Sequence, residues 1–437
     1  MSINITLNRL FDEPEIMIKN YGTKYIAKNY NGEKLAESDT PDLGELVNSI
    51  LSDNMAIRLA DGKYNVKTTI DLSGRKGIAL IGSHLPVGKI GADRGVRLVC
   101  DVDPCIKSDE SPYYGSVTDI QGDPKTLTLG GFEIGGTTND VSAAPYLIWL
   151  KWVSGLTVFN VRFFNGKRGL YCNDCLNVRI LFPQTGGCDV SGNHSTSNDK
   201  WTPVEVGIEI DGGPEYWIFA PFIEHGAGDG ILIHNTNAQW GVENVHIISP
   251  YINWNDGHGI NIKRVTNAGL WLIKIIGGAI DENWLNGLNV ETSVGSPWNL
   301  KLWVALNQFQ SNGRSGNSGL ANVYIKGYDS NARILDVRLI GNLSANEFKY
   351  APDLESYHIE HVDGLLMIGE LSSAPPTLVD VVNPIFGANG WPEGRSAVYA
   401  RSGLPSSGNY VGEMVFDTSS GQLCVWDGSA WKCVSLS

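Results

Sequence analysis

Gly207-Ile-Glu-Ile-Asp-Gly212, Gly230-Ile-Leu-Ile-His-Asn235, Gly259-Ile-Asn-Ile-Lys-Arg264 and Gly287-Leu-Asn-Val-Glu-Thr292 repeat one pattern, with starts 23, 29 and 28 residues apart. A glycine opens each segment and aliphatic side chains fill its second and fourth positions. Alternation at period two marks a strand with one buried face. A repeat in the twenties marks stacked coils, each covering the apolar edge of the one before. The spacing predicts two inward ladders: Ile208, Ile231, Ile260 and Leu288, and Ile210, Ile233, Ile262 and Val290.

Each repeat carries a second strand, seen at Trp217-Ile-Phe, Val245-His-Ile-Ile, Leu272-Ile-Lys-Ile-Ile and Leu300-Lys-Leu-Trp-Val. A third follows at Phe222-Ile-Glu, Tyr251-Ile-Asn, Ala279-Ile-Asp and Gln308-Phe-Gln. Three strands per coil predict an all-β chain, a right-handed single-stranded parallel β-helix. The coils are expected over residues 56–370, preceded by an attachment and capping segment, 1–55. In that segment Asp42–Ser52 has helical periodicity after Thr40-Pro41, with Leu43, Leu46, Val47, Ile50 and Leu51 on one face. Residues 371–407, rich in Ser, Pro and Gly, read as a linker, and 408–437 as a small C-terminal β module. There a four-residue turn at Asp427–Ala430 sets Trp426 opposite Trp431 and Cys424 opposite Cys433, so a disulfide is expected. Cys100 and Cys105 are a second candidate pair. Cys172, Cys175 and Cys188, with His194 beyond, have a faint zinc-knuckle spacing; the alternative is buried free thiols, and no metal is assigned.

The helix, then Ile57-Arg-Leu-Ala-Asp-Gly-Lys-Tyr64, then Ile78-Ala-Leu-Ile-Gly82, resembles the opening turns of pectate-lyase-superfamily proteins, including viral tailspikes. The stretch Gly412–Lys432 resembles short C-terminal modules of viral tail and surface proteins. The resemblance implies a virion-surface or extracellular protein, a homotrimer with other virion proteins as neighbours, and a host-surface polysaccharide as ligand.

Composition narrows the partners. A formal charge of −14 without clustered Lys and Arg argues against nucleic acid. The longest apolar runs, Tyr146–Leu150 and Leu270–Ile276, fall far short of the ~20 residues that span a bilayer. No secretory signal is visible at the N-terminus, and no cofactor is called for.

Aligning the coils puts Glu224, Asn253, Asp281 and Gln310 on one row. Strands are ~4.8 Å apart, so Glu224 and Asp281, two rungs apart, are expected at roughly 10 Å, within reach of the carboxylate spacing of an inverting glycosidase. The alternative is that such a row satisfies turn backbones. Asp229 and His258 align one rung apart, and Gly257-His258-Gly259 resembles one part of a polygalacturonase site. That family's Asn-Thr-Asp and Arg-Ile-Lys are missing and Asp229 stands where it has a pair, so its acid and base cannot be carried over. A lyase would draw on Asp256, Asp229, Lys263 and Arg264 with calcium, but three acids on neighbouring rungs are not evident. Sugar rings stack on aromatic faces, and Trp201, Trp217, Trp240, Trp254 and Trp284 recur in or beside these coils. Trp254 and Trp284, with Asn253, are the candidate groove floor; the alternative is that they cover apolar edges. The polar insertion 186–203 would wall the groove. The candidate catalytic residues are therefore Glu224, Asp281, Asp229, His258 and Asp256. The expected protein is a tailspike-type or virion-surface protein that binds glycan, with hydrolysis of that glycan as the further expectation. A non-catalytic receptor-binding protein and a free microbial lyase or hydrolase are the alternatives.

Overall fold

The computed structural model describes residues 16–83, 95–110, 126–186, 203–345, 355–372, 376–386, 398–401, 404, 406 and 414–435, apart from 139, 239, 316–318 and 418. Its contacts divide the chain into two units, Met1–Leu232 and Ile233–Ser437. The coils are those of a right-handed parallel β-helix. Among the described residues no helix is long and apolar enough to cross a membrane.

In the first unit three parallel ladders form because each coil repeats the same in–out alternation. One runs Ala56–Leu59, Ile78–Gly82, Leu127–Gly136, Leu156–Phe164, Val178–Leu181 and Gly213–Phe219. Its inward positions Ile57, Leu80, Leu129, Val158, Ile180 and Ile218 stack in register and are fully or almost fully buried. Each contributes about 1.5–3 kcal/mol relative to exposure. A second ladder pairs Gly62–Val66 with Val96–Cys100 and then Leu127–Gly136. The third runs Ile70–Asp71, Ile106–Asp109, Tyr146–Lys151, Gly166–Asn173 and Val204–Asp211. These three ladders are the three faces of the coil.

The start of this unit is capped. The helix Leu43–Ile50 buries Leu43, Leu46 and Val47, and its N-cap is Asp42: the Asp42 carboxylate accepts from the Gly44 amide at 3.0 Å. Before it, Ile16–Asn20, Tyr25–Asn29 and Lys34–Glu37 form an antiparallel meander, and Ile16–Asn20 also pairs in parallel with Ala56–Leu59.

The second unit continues the same plan. Val242–Ile248, Leu272–Ile276, Lys301–Ala305, Ile334–Ile340 and the second half of Glu355–Ile368 form one face. Tyr251–Asn253, Ala279–Asp281, Gln308–Gln310, Leu343–Ala345 and Leu371–Ser372 form another. Ile260–Arg264, Leu288–Thr292, Ala321–Lys326 and the first half of Glu355–Ile368 form the third. All eight residues of the two expected inward ladders are fully buried. The repeat glycines permit this closeness: a Cβ on Gly259 would stand 2.6 Å from Ile280 Cγ2, and one on Gly287 2.6 Å from Asn312 Nδ2. Parallel pairing carries on into the stretch expected as a linker, where Thr377–Val382 and Ile385–Phe386 lie against Glu355–Ile368. The alternation in Thr377-Leu-Val-Asp-Val-Val382 provides the strand.

At the C-terminus Val398–Arg401, Met414–Asp417, Gln422–Trp426 and Trp431–Ser435 form a separate four-stranded sheet. Cys424 pairs with Cys433 in register and in a disulfide, and Trp426 pairs with Trp431, with ring centroids 5.5 Å apart. Asp427 closes the turn by accepting from the amides of Ser429 and Ala430. Cys100 and Cys105 also form a disulfide, while Cys172 and Cys175 are buried free thiols. Cys188 and His194 lie outside the described residues.

Candidate functional site

The third-strand row of the second unit leads into a sharp bend. Asn253, Asp281 and Gln310 occupy one register position on three successive coils. The residue after each, Trp254, Glu282 or Ser311, is left-handed, with φ of 57, 50 and 51°. Non-glycine residues hold this conformation only where the surroundings enforce it. The enforcing element comes one residue later. Asn255 Nδ2 donates to Asn283 Oδ1 (2.8 Å), Asn283 Nδ2 to Asn312 Oδ1 (2.8 Å) and Asn312 Nδ2 to Asn322 Oδ1 (2.9 Å). The same oxygens accept the backbone amides of Asn255, Asn283 and Asn312. This buried asparagine ladder satisfies the backbone of the bend.

The row that precedes it is therefore released from that task. Asn253 is 8 % exposed; its Nδ2 donates to the Tyr251 hydroxyl at 3.0 Å, whereas its Oδ1 is buried with no hydrogen-bond partner. Asp281 Oδ1, one rung away, is also buried and unpartnered. Burial, reinforced by the neighbouring Glu282 carboxylate and opposed by the Gln310 backbone, raises the Asp281 carboxyl to about 7.

Trp254 is half-buried, and the Arg314 guanidinium lies over its ring, 4.6 Å from the centroid. Arg314 comes from two coils further on, where its amide donates to Asn283 O at 3.3 Å. Burial raises the Glu282 carboxyl and the protein packed around Asp256 raises that one, with Arg314 opposing both shifts. Trp284, 45 % exposed, is anchored through its amide to Asn255 O and through its carbonyl to the Ser315 amide. One bend thus collects a half-exposed indole, a cation-capped indole, three carboxyls and two undonated oxygens. It can offer a flat apolar face at Trp284 and the carboxyl of the exposed Asp256 to a ligand rich in hydroxyl donors.

The other expected residues are placed as follows. Glu224 lies in the first unit, half-exposed, its amide donating to Thr185 Oγ1 at 3.0 Å. Asp229, in the same unit, accepts the Gly207 amide through its backbone carbonyl. In the second unit His258 Nδ1 accepts the Asn286 amide at 3.2 Å, which ties the imidazole to the next coil. Trp240 is half-buried ahead of Val242–Ile248. Trp201, with most of the 186–203 insertion, lies outside the described residues. Of the groups a lyase would use, Lys263 is paired with Glu291, and Arg264 donates to the carbonyls of Ser296 and Pro297. Among the described residues no group of three or more His, Cys, Asp or Glu is placed to hold a metal ion.

Arg314, Glu282 and the asparagine ladder are the parts not anticipated. The ladder had a signal, since Asn255, Asn283 and Asn312 each stand two residues beyond the polar row. Arg314 had none.

No family model and no curated protein sequence matches the chain. Solved structures do. The A-module of mannuronan C-5 epimerase AlgE4 from Azotobacter vinelandii is 13 % identical with a TM-score of 0.44, covering 77 % of this chain and 87 % of that one. The adhesin PfbA of Streptococcus pneumoniae is 12 % identical with a TM-score of 0.37, covering 87 % and 92 %. Tailspike protein 3 of bacteriophage CBA120 is 11 % identical with a TM-score of 0.35, covering 90 % and 65 %. The fold itself, a right-handed parallel β-helix, is established by the chain's own stacked coils.

Proposed function

We propose that the protein binds polysaccharide at the bend formed by Asn253, Trp254, Asp281, Glu282, Trp284 and Arg314. The observation that carries this reading is the 45 % exposed Trp284 indole, on the bend that also holds the exposed Asp256 and the half-buried Glu282. Sugar C–H faces stack on indoles, and Trp284 is exposed enough to receive one.

Cleavage is the second reading, favoured by one observation: a carboxyl held near 7 keeps a substantial protonated fraction at neutral pH, as a general acid must. Glu224 is a candidate base on the strength of the sequence repeat alone. The resemblance of the opening coils and the C-terminal module to viral surface proteins supports placing this binding on a virion or extracellular surface that meets host glycan. A non-catalytic receptor-binding protein needs only the stacking faces and acceptors.

The test is reducing-end release, with binding measured in parallel, from a panel of surface and plant polysaccharides. The intact protein is compared with Asp281→Asn and Glu224→Gln. Release lost in both variants supports hydrolysis. Binding without release supports the receptor reading, and neither binding nor release from any member overturns both.

A further inference from the structure

The second unit has another bend, between the second and third strands of each coil, and its outer surface is uncharged. Ile248, Ile276, Ala305, Ile340 and Ile368 are in register along its approach. Tyr251, Ala279, Gln308, Leu343 and Leu371 are in register along its exit. Between them stand Ser249, Gly277, Leu306, Gly341 and Gly369, all left-handed. None of these fifteen residues is charged and none is buried. From inside, Asn307, Asn342 and Glu370 cap the bend, accepting the amides of Gly278, Asn307 and Asn342. The outer surface is therefore not needed to hold the turn.

Leu306 is the informative member. Four of the five left-handed positions are Ser or Gly, as sterics favour, but the fifth is a leucine that is 67 % exposed. Backbone and solvent both disfavour a large apolar side chain there. With Leu371 at 52 % and Ile368 at 42 % exposure, the strip presents on the order of 500 Å² of apolar surface, a size that marks interaction sites on soluble proteins.

We propose that a second copy of this chain docks on the strip. Rungs recur every ~4.8 Å, so side chains form ridges and gaps at that pitch, and another copy of the same strip has the matching pitch. A patch that meets itself is the requirement of an isologous interface, and without charge it has no like-charge penalty. Two such strips together bury roughly 1,000 Å², where specific interfaces begin. This proposal is independent of the glycan reading.

Sedimentation equilibrium of the intact chain from about 1 to about 100 μM tests it. The double variant Leu306→Glu, Leu371→Glu is compared with the parent and with Tyr30→Glu, which alters an exposed residue of the first unit. The parent is expected to associate, the double variant to have a dissociation constant raised about 100-fold or more, and Tyr30→Glu to match the parent. Far-UV circular dichroism checks that the exposed substitutions leave the fold intact. A parent that stays monomeric throughout, or a folded double variant that associates as tightly as the parent, overturns the proposal.

Discussion

Replacing Asn283 by alanine should unfold the second unit far more easily than its polarity suggests. Asn283 is fully buried. Its Oδ1 accepts from the amide and Nδ2 of Asn255, at 3.2 and 2.8 Å, and its Nδ2 donates to Asn312 Oδ1 and Ile252 O, at 2.8 and 3.3 Å. The substitution removes all four bonds. Asn312 Oδ1 keeps the backbone amide of residue 283 and Asn255 Nδ2 keeps Asn253 O at 3.1 Å, but the amide of Asn255, itself 1 % exposed, loses this acceptor. A buried donor that loses its acceptor costs about 1–3 kcal/mol and each of the other lost bonds about 0.5–1.5 kcal/mol, so the expected loss is about 4 kcal/mol, as large as deleting a core leucine. Urea unfolding followed by tryptophan fluorescence and circular dichroism measures it from the shift in midpoint at unchanged slope. Lys301→Ala, on the exposed surface of the same unit, should stay within about 0.5 kcal/mol. A loss below about 1 kcal/mol for Asn283→Ala would refute the claim that the ladder holds the bend.

Other consequences follow from the same structure. The Asp281 carboxyl is raised from 3.8 to about 7 and that of Glu370 from 4.5 to about 7, chiefly by burial. A raised folded-state value contributes stability that is complete below the unfolded value and is lost as pH climbs through the folded one. Unfolding free energy should therefore fall between pH 4 and 7, by at most about 4 kcal/mol per group, and Asp281→Asn should flatten its share of that slope; an unchanged profile contradicts the assignment. Gly44→Ala should lower the thermal midpoint by about 1–3 kcal/mol equivalent, because the new Cβ would lie 1.7 Å from Thr68 O; no change would mean the helix is not seated there. Cys424→Ser should cost the C-terminal sheet about 3 kcal/mol by the loop-entropy estimate for so short a loop, seen as earlier proteolysis of that sheet, and equal protease resistance would count against the disulfide.

Much of the fold was legible because its signals repeat. The aliphatic ladders, the third-strand tripeptides and the Asp427–Ala430 turn all rest on local alternation or turn chemistry, and each stands as read. The helix start after Thr40-Pro41 was legible too, and the structure adds that Asp42 is its cap. Strands beyond residue 371 were hidden by Pro and Ser that punctuate a real alternation. At the site, the row of Asn253 and Asp281 was visible, as was the idea that a polar row supports the turn. That support is carried by Asn255, Asn283 and Asn312 instead, and a left-handed residue between the two rows is what separates their roles. Arg314 reaches Trp254 across the intervening coil, a contact set by the direction of the bend and by no periodicity in the sequence.

The most direct test of the account is calorimetric titration of the intact protein with the polysaccharide that binds best, repeated with Trp254→Ala, Trp284→Ala and Trp271→Ala. Trp271 is as exposed as Trp284, at 47 %, but lies at the entry to Leu272–Ile276, away from the bend. The account predicts affinity weakened at least about tenfold by the first two substitutions, the worth of one lost stacking contact, and unchanged by the third. Equal binding by all four proteins, or a loss confined to Trp271→Ala, would contradict it.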